Sequence, residues 1–134
     1  MFETRPELAG VLDEDLVGWL TTVTGSGQPQ SSVVWFLRDG DDLLVYSKPD
    51  ATKMRNISAN PKIAFNLRTD EVGDSMTTLE GDATVVDSPT PPHQHPAYFG
   101  KYRGQISRLG WTPEQFSDEY SALIRIAINR IRSW

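Results

Sequence analysis

The feature that most constrains this chain is a succession of short β-rich runs set apart by turn residues. Leu16 to Thr24 is rich in β-formers, Gly25-Ser26-Gly27-Gln28 supplies residues that tolerate positive φ, and Ser31 to Arg38 is β-rich again. That is a hairpin pattern. Asp39-Gly40 is the dipeptide a tight type I′ turn prefers, and Leu43 to Ser47 follows it, so the first three runs are expected to form a meander. Ile63 to Arg68, Met76 to Val86 and Ala122 to Ile131 read as further strands, the last with Ile124, Ile126 and Ile128 on one face. The polar segment Asp70 to Ser75 separates two of them, and Gly81 inside one marks a bulge or bend.

Helical signals are short and lie between or ahead of the strands. Leu8, Val11 and Leu12 stand at helical spacing behind Pro6, which predicts a short capping helix over residues 7–15. Between Pro49 and Pro61, Asp50 or Thr52 is placed to cap a helix carrying Met54 and Ile57, which Asn60-Pro61 ends. A proline-rich connector, residues 87–96, leads to short helices over 97–103 and 113–120, the second opened by Thr112, Pro113 and Gln115 in a capping-box arrangement. Six or so antiparallel strands with helices only at the periphery predict a mainly β fold, a small six-stranded barrel, and argue against a parallel βαβ sheet. At 134 residues the chain suits one domain, 1–134, with no internal repeat.

Composition narrows the partners. A net charge of −5 repels a phosphate backbone, so nucleic acid is not expected. There is no cysteine, which removes disulfides, thiolate ligands and a cysteine nucleophile and is compatible with a cytoplasmic protein. The N-terminal stretch has no apolar core of a signal peptide, and the longest apolar run, Val33 to Leu37, falls far short of the roughly 20 residues that span a bilayer. A soluble protein that does not engage the membrane is expected.

Two stretches carry the chemistry. Lys48, Lys53, Arg55, Lys62 and Arg68 share the segment from Ser47 to Arg68 with one acid, Asp50, in an otherwise acidic chain. Its centre places hydroxyls and ammonium groups at a strand end and a helix N-terminus, where free N–H groups favour an anion such as phosphate. Just before it, Trp35 and Phe36 project to opposite faces of a strand, so that one of the two is free to line a flat-ring pocket. His93-Gln94-His95 lies among prolines with no third ligand, and neither histidine shows a serine partner, so these are expected to be exposed loop residues, without a metal or a hydrolytic triad. Gly25 to Gln30 lacks the third glycine of a dinucleotide fingerprint and reads as a turn.

Taken in order, Leu20 to Thr24, Gly25 to Pro29, Val33-Val34-Trp35-Phe36, Leu43 to Ser47, Lys53 to Ile57 and Asn60-Pro61-Lys62 resemble the pyridoxamine-5′-phosphate-oxidase-like split-barrel superfamily. The C-terminal Lys101-Tyr102, Leu109-Gly110, Thr112 to Phe116, Tyr120, Ile124 to Ile126 and Arg130 to Arg132 are similar to its actinobacterial, coenzyme F420-dependent branch of deazaflavin oxidoreductases. The resemblance implies a homodimer holding F420, or alternatively FMN, at its interface and passing hydride to a small organic substrate. It also implies site residues. Ser47, Lys48, Thr52 and Lys53 would hold the cofactor phosphate, Val33, Val34, Trp35 and Phe36 would lie along the tricyclic ring, partly through backbone groups, and Asn56 would stand beside the phosphate helix, either to contact the cofactor or to shape the turn. Arg132 and Trp134 of the C-terminal strand would complete the partner's pocket. Catalytic residues are not identified, and Tyr46 is the one nearby group that could donate a proton. A carrier of the cofactor or of a tetrapyrrole, without catalysis, is the reading from a different class.

Overall fold

The computed structural model describes residues 1–68 and 76–133. Seven strands form one antiparallel sheet: β1 (Gly18–Val23), β2 (Pro29–Val34), β3 (Leu37–Asp39), β4 (Asp42–Ser47), β5 (Lys62–Asn66), β6 (Thr77–Val85) and β7 (Ala122–Ser133). Among the described residues four α-helices accompany them, α1 (Pro6–Glu14), α2 (Thr52–Ala59), α3 (Pro96–Arg108) and α4 (Pro113–Glu119), with short 3-10 turns at Phe2–Thr4 and Pro92–Gln94. The segment Asp70 to Ser75, expected as a polar loop, lies outside the described residues, as does Trp134.

The sheet order is β2-β1-β5-β6-β7-β4-β3. Its two end strands are consecutive in sequence, separated only by Trp35 and Phe36, a gap those residues bridge over at most about 11 Å. The sheet therefore curls until its ends face one another, which is the split barrel. The six expected runs become seven strands because Ser31 to Arg38 breaks in two. β2 pairs with β1 as the expected hairpin, while β3 pairs with β4 at the far end of the sheet, so the first three runs are not a meander. The β3–β4 turn also differs from expectation. Its two central residues are Gly40 and Asp41, and only Gly40 has positive φ, at 64°, whereas a type I′ turn needs it at both.

Alternation explains the two cores. Leu43 and Val45 of β4 face the barrel interior with Leu20, Phe65, Ile124 and Ile126. Leu44 and Tyr46 face outward and are covered by Tyr98, Tyr102 and Ile106 of α3 and Phe116 of α4. β4 is thus buried on both sides, which accounts for its unbroken apolar run. Leu12 of α1 and Phe2 plug the barrel end as the capping helix was expected to, but Val11 faces solvent. α3 runs five residues beyond its expected end at 103, because Ile106 supplies another buried turn. The Thr112–Gln115 capping box forms in full. None of the described helices is long and apolar enough to cross a membrane.

Candidate functional site

Trp35 is the pivot. Where the chain leaves β2 its indole turns outward and stacks on Tyr102, with ring centroids 4.7 Å apart and planes within 3°, and on Phe116 at 5.5 Å. Phe116 stacks in turn on Tyr120 at 4.6 Å. This row of rings backs a groove of about 470 Å³ whose walls include Val33, Trp35, Lys48, Lys53, Trp111 and Tyr120. Phe36 points the other way. It is fully buried in the barrel, edge-on to Phe65 at 4.9 Å, so its side chain does not line the groove as expected, and its backbone N–H and carbonyl are engaged by Tyr102 and Lys101.

Val34, Tyr46, Ser47 and Ala51 also border the groove. Ser47 is nearly fully buried and its hydroxyl donates to the Lys48 carbonyl, while the Tyr46 hydroxyl donates to the Thr90 carbonyl, so the proton-donor candidate is committed to a structural bond. Burial pushes the Tyr46 phenol up from its ordinary pKa.

A second pocket of about 460 Å³ adjoins on the other side of Lys53, lined by Thr22, Gln30, Ser31, Ser32, Thr52 and Asn56. Asn56 is buried, and its Nδ2 donates to Thr22 Oγ1 and to Gln30 Oε1, both at 2.9 Å. The amide therefore ties α2 to β1 and β2. Thr22, Gln30 and Ser32 were missed by the sequence reading, which followed the basic segment and had no means of knowing that β2 runs beside α2.

Between the pockets stands the N-terminus of α2. Its N-cap is Ala51, not Asp50 or Thr52, and no side chain caps it. Thr52 Oγ1 instead accepts from Arg55 at 3.2 Å. Neither Lys48 nor Lys53 forms an ion pair among the described residues, and burial holds the Lys53 ammonium below the ordinary lysine pKa. Uncapped N–H groups beside two lysines, with an aromatic groove on one side and hydroxyls and amides on the other, suit a flat ring joined to a hydroxylated phosphate.

Arg132 stands elsewhere. On β7 it lies 3.5 Å from Glu80 and borders neither pocket, so any contact with a cofactor would have to reach a second subunit. Both histidines are half-buried, not exposed as expected. His93 Nδ1 lies 2.6 Å from Ser117 Oγ, a serine partner that the sequence did not reveal, since residues 93 and 117 meet only when α4 packs back on the connector. His95 caps α3 by accepting from the Tyr98 N–H. A larger hollow, about 780 Å³, lies beside α1 between Arg5, Asp15 and Arg68; of the basic segment only Arg68 borders it, and none of the residues expected to hold a cofactor does.

The family model described as pyridoxamine 5′-phosphate oxidase matches residues 4–134. No curated protein matches the sequence. Among solved structures, conserved hypothetical protein Rv2991 from Mycobacterium tuberculosis superposes with a TM-score of 0.77 at 23% identity, covering 96% of this chain and 82% of that one. A protein described as F420 reductase gives 0.68 at 23% identity, with 92% and 94% covered. HutZ, the heme storage protein from Vibrio cholerae, gives 0.66 at 19% identity, with 95% and 91% covered. At such identities the structures share the fold, and with a family model that spans nearly the whole sequence the chain belongs to the pyridoxamine 5′-phosphate oxidase family.

Proposed function

We propose that the protein is a cytoplasmic, homodimeric oxidoreductase that binds coenzyme F420, with its ring in the aromatic groove and its phosphate at the N-terminus of α2. The observation that carries this reading is the position of Lys53, which borders both the aromatic groove and the polar pocket beside an uncapped helix end. The likeness to the F420 reductase structure supports F420 over other flat phosphorylated rings. When bound, F420 supplies a hydride equivalent at a ring carbon, and the substrate would be a small organic electrophile. The chain's residues then bind and orient. Lys53, Lys48 and the first N–H groups of α2 hold the phosphate, Thr52 adds a hydroxyl, and Val33, Val34 and the exposed edge of Trp35 lie along the ring. The aromatic walls exclude water.

FMN in the same position is the alternative within the family, and the same pocket division supports it. A tetrapyrrole carrier is the other reading, favoured by the likeness to HutZ. Against it, neither His93 nor His95 borders the groove, and each ring's Nδ1 is already engaged, so the groove brings no imidazole to an iron.

Fluorescence titration of the protein with F420 and, separately, FMN, repeated on Lys53→Ala, tests the proposal. Saturable F420 binding that weakens in the variant supports it. Tighter FMN binding makes the protein a flavoprotein, and binding of neither removes the redox reading.

A further inference from the structure

The break at Trp35 and Phe36 is where the groove acquires its indole, and buried backbone groups that leave a ladder need other partners. Phe36 is fully buried, and its N–H donates to Tyr102 Oη at 2.9 Å. Its carbonyl accepts from Lys101 Nζ at 2.9 Å, and the same ammonium donates to the Leu12 carbonyl of α1 at 3.1 Å. The single proton on Tyr102 Oη has two acceptors in reach, the Leu16 carbonyl at 2.7 Å and the Phe36 carbonyl at 2.9 Å. With Lys101 already on Phe36, the shorter bond to Leu16 takes the proton. One hydroxyl then ties the approach to β1 to the exit from β2, while the ring that carries it lies flat against Trp35. Lys101 Nζ also stands 4.0 Å from the centroid of the Phe36 ring. Two adjacent residues of α3 thus grip the two residues of the break from one side.

We infer that Tyr102, assisted by Lys101, is a positioning residue of the groove: it fixes the strand break and thereby sets where the Trp35 indole stands toward an occupant. The inference rests on the cofactor reading above. Tyr102 borders neither pocket, so its influence on a ligand passes through Trp35 and is confined to the aromatic end. A residue that merely held the fold together would act on both ends alike.

Tyr102→Phe keeps the ring and removes only the hydroxyl. Its near-UV circular dichroism, compared with wild type and with Trp35→Phe, reports the stacked pair, and titrations with F420, FMN and ribitol 5-phosphate report the two ends of the site. The expected result is a loss of the Trp35 band and an affinity for the tighter ring ligand about tenfold lower, one decade per about 1.4 kcal/mol, with ribitol 5-phosphate binding unchanged. Equal losses for both kinds of ligand overturn the inference, as does an unchanged affinity for the ring ligand. Should Tyr102→Phe fail to fold, Lys101→Met, which removes one donor to the Phe36 carbonyl, is read in the same way, with Lys101→Arg expected to restore ring binding. Wild-type protein that binds neither F420 nor FMN would overturn the cofactor reading instead. The hold on Trp35 is then decided by the near-UV band alone, lost in Tyr102→Phe if the inference is right and retained if it is wrong.

Discussion

Gly81 of β6 lies so close to the Ala127 carbonyl of β7 that a Cβ at position 81 would collide with its oxygen. The ladder shifts register at this point, with Glu80 opposite Arg130 but Gly81 opposite Ile128, which leaves Asn129 as the extra residue on β7. Such a bulge bends and twists its strands, as a sheet must to curl on itself. Gly81→Ala is expected to cost about 1–3 kcal/mol through overpacking against backbone, read as a lower urea midpoint at unchanged slope. An unchanged midpoint would mean that the bulge relaxes freely.

Asn56 joins three elements through one amide, so Asn56→Ala should strip Thr22 Oγ1 and Gln30 Oε1 of their donor and cost about 1–3 kcal/mol. Asn56→Asp keeps the shape while removing the donor and adding a negative charge beside Lys53. It should lose similar stability and, unlike Asn56→Ala, repel a phosphate. Thermal melts with and without ribitol 5-phosphate separate the two effects.

Local signals made most of the fold legible. The Gly25 to Gln28 hairpin, the capping box at Thr112 and Gln115, the inward row of Ile124, Ile126 and Ile128, and the bulge at Gly81 depend on residues near in sequence or on the side-chain period of a strand, and all are present. What failed to show was long-range. No local pattern says that Ser31 to Arg38 must break, because the break is held by Tyr102, 66 residues away from Phe36. Nor does any local pattern say which of Trp35 and Phe36 faces the groove, since that is visible only once Phe36 packs on Phe65 inside the barrel. The polar pocket was illegible for a like reason, since Thr22 and Gln30 meet Asn56 only once β1, β2 and α2 are packed.

Lys53 and Lys48 differ in what surrounds them. Lys53 is partly buried between both pockets, whereas Lys48 is exposed, 5.9 Å from the centroid of the Tyr120 ring. Lys53→Ala should weaken the binding of a phosphorylated cofactor by about 1.5–3 kcal/mol, the worth of a hydrogen bond to a charged group, and Lys48→Ala by less. The loss at Lys48 should shrink as salt is raised, since exposed charges are screened. Titrations at two ionic strengths check both statements.

Lys101 gives stability a pH dependence. Burial brings its ammonium down to about 8 from an ordinary 10.5, although Asp13 and Asp15 oppose the shift. Above a pH of about 8 the folded protein gives up a proton that the unfolded chain keeps until about 10.5, so unfolding takes up a proton and stability rises with pH across that window. Burial pushes the Tyr98 and Tyr102 phenols above their ordinary value of 10, which reverses the trend above that pH, where the unfolded chain ionises first. Urea midpoints should therefore rise from pH 8 and turn downward beyond about 10. Lys101→Met should lose most of the rise, leaving the smaller part that the buried Lys53 contributes, and keep the fall; a rise that survives undiminished would assign it to another group.

Trp19 and Val33 are cross-strand partners on the outer face of β1 and β2, and each is 51% exposed. A large apolar pair at neighbouring positions on a sheet surface is the kind of patch that a second subunit covers. Val33 also borders the aromatic groove, so a partner seated on Trp19 would reach the rim of the proposed cofactor site. Trp19→Lys is expected to shift the protein from dimer to monomer by light scattering and to weaken F420 binding in the same samples. Because Trp19 itself borders neither pocket, the second effect should vanish if cofactor binding needs only one chain. A dimer that persists in Trp19→Lys would place the interface on another face of the barrel. A monomeric wild type that still binds F420 tightly would mean that one protomer supplies the whole site.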